Sequence, residues 1–117
     1  MTMKKSLFLL LALSAVSTQS SAIGVDGNAV AGKQKATAVC ASCHGADGNK
    51  TLDNSYPKLA GQHPDYLVKA LKDYKSGKRS NAIMGAQAQT LSDADIANVA
   101  VYFGSLKSQI GVLPSGD

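Results

Sequence analysis

Cys40-Ala41-Ser42-Cys43-His44 decides how the rest of this chain is read. Two thiols separated by two residues can reach the two vinyl groups of one porphyrin and bond to them as thioethers. The histidine that follows at once is then carried beneath the iron as its proximal ligand. The stretch therefore predicts one covalently attached haem c, with Cys40 and Cys43 holding the porphyrin and His44 on the iron.

Three other chemistries use the same residue types. A redox-active dithiol belongs with alternating strands and helices, and no such alternation occurs here. A closed zinc site needs four ligands, and beyond the motif the sequence offers only His63, which has no partner at zinc-finger spacing. A disulfide across two residues would close too short a loop to add much stability.

Upstream of the motif, Lys4 and Lys5 lead into an apolar run from Leu7 to Val16, and Ser17, Ser20, Ser21 and Ala22 supply small residues after it. This is the layout of an export signal, and it places cleavage near Ala22. The run is shorter than the roughly 20 residues that cross a bilayer, so no stable membrane insertion is expected after cleavage. Residues 1–22 are thus read as a signal peptide and 23–117 as one small domain in the periplasm. Both cysteines lie inside the motif, which leaves none for the disulfide framework that exported domains often need.

Charge excludes one class of partner. The chain carries twelve basic and eight acidic residues, a net charge of +4 that falls to +2 once Lys4 and Lys5 are removed. Haem propionates would lower it further, and the basic residues are not interleaved with stacking aromatics, so nucleic acid is not expected as a partner. Aromatic content is low, at 5% of residues with no tryptophan, so the apolar inventory is thin for a small core. A porphyrin at the centre would supply what is missing.

Periodicity predicts an all-α fold. One helix runs from about Ala29 to Cys40, with Gly32 inside it as either a close-packing point or a tolerated surface glycine. A second begins at Pro64, suited to the first helical position, and stops at Gly77. A third is capped by Ser92 with Asp95 three residues on, flanked by Leu91 and Ile96 at the staple positions. It carries Ile96, Val99, Ala100, Phe103 and Leu106 on one face, with Tyr102 near enough to meet Gly32. Lys69, Lys72, Lys75 and Lys78 form a row that reads as a solvated face or part of a docking face. The stretches from Gly45 to Gln62 and from Gly77 to Thr90 read as loops wrapped around the haem, and the tail after Lys107 as frayed.

Loss of Met1 and Met3 with the signal leaves Met84 as the sole methionine of the mature chain. In a haem-binding chain it is the candidate for the second axial position, ahead of His63, which directly precedes Pro64 and reads as an exposed helix start.

The motif near the start of the mature chain, Tyr56-Pro57-Lys58-Leu59-Ala60-Gly61-Gln62, Tyr66-Leu67, Met84, Leu91-Ser92-Asp93-Ala94-Asp95-Ile96 and Ala100-Val101-Tyr102-Phe103 together resemble a class I cytochrome c. Within that class the likeness is to the small bacterial c5, c553 and single-domain c4-like cytochromes. The resemblance implies N- and C-terminal helices packed across each other around one haem and His/Met ligation by His44 and Met84. It also implies single-electron transfer between redox proteins of a respiratory or related chain. It puts Pro57 where a backbone carbonyl orients the proximal imidazole, against the plainer reading of a loop-stiffening proline.

Two protein ligands would leave no open position on the iron, which suits a carrier rather than an enzyme. The competing reading, a haem peroxidase or gas-binding protein, would need a labile sixth position and a distal acid-base group, for which His63 and Arg79 are the available residues. A third reading is an assembly subunit whose haem is mainly structural.

Overall fold

The computed structural model describes residues 24–109, so the export segment and nearly all of the tail expected to fray lie outside the described residues. Five helices occur in them: α1 (Ala29–Val39), α2 (Ala41–His44), α3 (Pro64–Ser76), α4 (Ala82–Gln89) and α5 (Asp93–Ser105). No strand appears among the described residues, in line with the all-α reading. No helix among them is long and apolar enough to cross a membrane.

Polar caps set the ends of α1 and α5. The Asn28 side chain accepts the Ala31 N–H at 2.9 Å, and its backbone N–H donates to Asn98 Oδ1 on α5 at 2.7 Å. One residue thus starts α1 and ties it to its neighbour. Ser92 Oγ accepts the Asp95 N–H and the Asp95 carboxylate accepts the Ser92 N–H, each at 3.0 Å, which completes the capping box expected from the sequence. Leu91 and Ile96 beside it are both buried.

Gly32 is a close-packing point. A Cβ built there would lie 2.0 Å from the Asn98 carbonyl oxygen and 2.9 Å from the Tyr102 Cβ. Only a hydrogen fits between the two backbones. The α1–α5 contact feeds a core of Ala36, Leu67, Val99, Ala100, Tyr102 and Phe103, with Leu59, Val68 and Leu71 packed against it. Helix α3 leans on the same core through Leu67 and ends at Gly77, whose φ of +82° lies in the left-handed region that a side chain disfavours.

The structure departs from the sequence reading in three places. Helix α1 stops at Val39, and the attachment motif forms its own turn, α2. The stretch from Gly77 to Thr90 is not all loop: Asn81 Oδ1 accepts from the Ile83 and Met84 N–H groups and starts α4, so Met84 sits on a helix. The lysine row is not one uniform face. Lys69 pairs with Asp73, and Lys75 Nζ turns inward to donate to the Leu91 carbonyl. The chain also stays anchored past Lys107, because the Gln109 N–H donates to Asn49 Oδ1 at 3.0 Å.

Candidate haem site

Helices α2, α3, α4 and α5 and the segment 45–63 enclose a cavity of about 510 Å³. Val39, Leu67, Leu71, Leu91, Val99 and Phe103 give it apolar walls, and Cys40, Cys43, His44, Pro57 and Met84 all line it. The motif's residues and the distant methionine are thus brought together around one space.

His44, only 5% exposed, is fixed from two directions. Its Nδ1 lies 2.8 Å from the Pro57 carbonyl oxygen. A carbonyl can only accept, so Nδ1 carries the proton and the Nε2 lone pair is left for a metal. The Tyr56 ring meets the imidazole edge-on, with centroids 6.1 Å apart and planes at 76°. Pro57 therefore does what the resemblance implied at the level of contact, with its carbonyl on the imidazole.

The Pro57 carbonyl is held in place by a loop with dense internal bonding. Asp47 Oδ1 accepts the Asn49 and Lys50 N–H groups, each at 2.9 Å, which holds its carboxyl below the usual range. The Gly48 carbonyl accepts from Leu59 at 2.8 Å and from Ala60 at 3.1 Å, closing the loop on itself. The Gly61 N–H then donates to the Phe103 carbonyl at 2.9 Å, and buried Asn49 donates to the Lys107 carbonyl at 3.0 Å. Both bonds moor the loop to the end of α5.

Cys40 is partly buried, and desolvation pushes its thiol up to about 11, so as a free side chain it is a neutral thiol. Tyr56 is raised above the ordinary phenol value, first by the charge of the Cys43 sulfur beside it. Neither cysteine is in a disulfide. No three His, Cys, Asp or Glu side chains gather as a metal site among the described residues, which removes the zinc reading.

Met84 is half-buried in the first turn of α4, and that helix is seated by two bonds to α3: Lys75 Nζ donates to the Leu91 carbonyl, and Gln89 Nε2 donates to the Lys75 carbonyl at 2.6 Å. His63, the rival ligand, is exposed and lines a separate shallow pocket with Gly24, Val25, Pro64 and Asp65. Sequence reasoning found no setting for Arg79, yet it lines the cavity, with its guanidinium 4.9 Å from the Tyr74 ring centroid and one NH group donating to the Tyr66 hydroxyl at 3.4 Å.

A porphyrin fits this set. The cavity lies within the roughly 300–1,000 Å³ of sites that enclose cofactor-sized ligands. Its donors are an imidazole with a free Nε2, a thioether and two thiols on one wall, which is the donor set of haem c ligation.

Known proteins agree with the geometry. The Cytochrome c family model matches residues 29–107. Cytochrome c4 of Pseudomonas aeruginosa is 50% identical over 86 residues, covering 74% of this chain and 42% of that protein. Cytochrome c-554(548) of Halomonas halodenitrificans is 44% identical over 82 residues, covering 68% of this chain and 96% of that one. The crystal structure of reduced recombinant cytochrome c4 from Pseudomonas stutzeri superposes with a TM-score of 0.66 at 41% identity, over 73% of this chain and 48% of that one. The chain thus spans less than half the length of its cytochrome c4 relatives. From the residues around the cavity and from these matches, the chain belongs to the cytochrome c family, in its class I, c4-like group, and its cofactor is covalently attached haem c.

Proposed function

We propose that the chain is a single-electron carrier whose haem iron is bound axially by His44 and Met84, attached through Cys40 and Cys43. The observation that carries this reading is the sharing of one cavity by His44 and Met84, with the His44 Nδ1 committed to Pro57. Bound haem supplies one Fe(III)/Fe(II) couple. The protein does the rest. His44 offers Nε2 in a fixed orientation, and the Pro57 carbonyl raises its basicity. Met84 offers a soft thioether, which favours ferrous iron and so a higher potential than a second imidazole would give. Apolar walls keep water from the site and push the potential the same way. With both axial positions taken by side chains, no open position remains for a substrate, so one electron enters and leaves with little rearrangement.

Such a carrier works after export, in the periplasm, once the segment up to Ala22 is removed. Its partners are redox proteins of an electron-transfer chain, met through a small surface that releases readily. The test is the optical spectrum of the ferric protein. A weak sulfur-to-iron charge-transfer band is expected, lost in Met84→Ala and retained in His63→Ala. A band that survives Met84→Ala would overturn the ligand assignment, and rapid carbon monoxide binding by the native ferrous protein would overturn the carrier reading.

A further inference from the structure

Haem has one polar edge, formed by its two propionate carboxylates, and a site that encloses the ring must provide for that edge. Two cations line the cavity, Lys58 and Arg79. Lys58 follows Pro57 on the His44 side, is exposed, and makes none of the side-chain bonds or ion pairs found among the described residues.

Arg79 differs in every respect that bears on anion binding. Its guanidinium lies over the face of Tyr74, 4.9 Å from the centroid, and one NH group donates to the Tyr66 hydroxyl at 3.4 Å. Its backbone N–H is bonded to the Asp73 carbonyl at 3.0 Å, so the turn after Gly77 folds the residue back against α3. Stacking on an aromatic face and a single phenol contact restrict the rotamers of a long side chain without neutralising its charge. No carboxylate forms an ion pair with Arg79 among the described residues, although Asp73 is nearby and is held below its usual range chiefly by Lys69. The result is a cation with its orientation restricted, its remaining N–H donors unspent, and a place on the wall of an otherwise apolar cavity.

We propose that Arg79, clamped by Tyr66 and Tyr74, is the carboxylate-binding residue of the site and pairs with a haem propionate. This rests on the haem-carrier reading and names a contact that reading leaves unassigned. The planar fork of Arg79 matches a carboxylate with two parallel N–H donors, which Lys58 cannot offer. Compensating a propionate beside the ring disfavours the extra positive charge of the ferric state, so the pair holds the potential up. Tyr66 and Tyr74 act as positioning residues, because they restrict the fork and do not themselves carry charge at neutral pH.

Resonance Raman spectra of the purified haem-loaded protein test this through the propionate bending mode, which responds to hydrogen bonding at the carboxylates. Arg79→Gln is expected to shift that mode and lower the reduction potential while leaving the haem covalently bound. Arg79→Lys should restore most of the potential but not the mode, and Tyr66→Phe should shift both in the direction of Arg79→Gln by a smaller amount. An unmoved mode in Arg79→Gln, or a shift produced by Lys58→Gln instead, would overturn the assignment. The mode reports the carboxylates whatever the sixth ligand is. A missing sulfur-to-iron band in the native protein would therefore count against Met84 ligation alone, and an unmoved mode against Arg79 alone.

Discussion

Replacing Gly32 by alanine tests the α1–α5 packing that holds the site together. The new methyl would sit 2.0 Å from the Asn98 carbonyl oxygen and 2.5 Å from its carbon, both backbone atoms of α5, and 2.9 Å from the Tyr102 Cβ. Ordinary contact begins near 3.4 Å, so the helices must separate by more than 1 Å along their shared face. None of these atoms is the far end of a flexible side chain that could swing aside. Overpacking of this kind costs about 1–3 kcal/mol and sometimes more. Alanine recovers at most about 1 kcal/mol of helix propensity over glycine, so the net loss is about 2 kcal/mol. For a domain of this size that lowers the midpoint of thermal unfolding by about 8–16 °C.

The same substitution elsewhere should have the opposite sign. A Cβ at Gly85, inside α4, would meet nothing nearer than the Tyr74 carbonyl oxygen at 4.0 Å. Gly85→Ala should therefore raise stability by about 0.5–1 kcal/mol through helix propensity and a less floppy unfolded chain. Thermal unfolding of both variants, followed by far-ultraviolet circular dichroism with the haem attached, gives the comparison. A Gly32→Ala protein as stable as the parent, or a Gly85→Ala protein as damaged as Gly32→Ala, would refute the reasoning.

Two further perturbations address other parts of the fold. Ser92→Ala removes half of the α5 capping box and should cost about 1 kcal/mol, read as a lower urea midpoint with unchanged slope. Asp95 is held below the usual carboxylate range, first by the Ser92 backbone N–H and further by Lys35. Its contribution is therefore full above the unfolded carboxyl value near about pH 4 and is lost as pH falls through the lower folded value. The stability gap between the native protein and Asp95→Asn should then shrink on acidification below about pH 4, and a gap that widens there would contradict the capping role. Asn49→Ala strands the Gln109 N–H and the Lys107 carbonyl that its side chain bonds, at a cost of about 1–3 kcal/mol. Amide exchange should then accelerate at Gln109 and in the loop that holds Pro57, while exchange in the middle of α1 changes little.

The parts of the molecule legible in the sequence are those where a local signal and the tertiary fold agree. Ser92 with Asp95, Pro64 at a first turn and Gly77 at a stop each act through their own neighbours, and each lies where expected. The attachment motif is local in the same sense. Helix α4 was missed because Ile83, Met84, Gly85 and Ala86 present no apolar stripe: Ile83 is 50% exposed while Ala88 is fully buried. Asn81 was the available signal, since it caps α4 through two bonds, but a lone asparagine after Ser80 reads equally as a turn. Arg79 could not be placed at all from spacing. Its stacking on Tyr74 depends on the left-handed turn at Gly77 and the bond back to Asp73, which only the folded chain brings about.

Packing α1 against α5 also orders the events by which the domain forms. Between Val39 and Asp93 lies more than half of the described chain, including every residue of α2, α3 and α4. Closing so long a loop costs conformational entropy before any of Ala36, Val99 or Ala100 is covered, so the interface is a late and slow contact unless something shortens the search. The turn bearing Cys40, Cys43 and His44 directly follows α1 and needs no distant partner to form. A porphyrin bonded there while the chain is still open presents an apolar surface on which α3, α4 and α5 can condense one after another. Prosthetic-group attachment would then act on the folding rate as much as on the finished molecule.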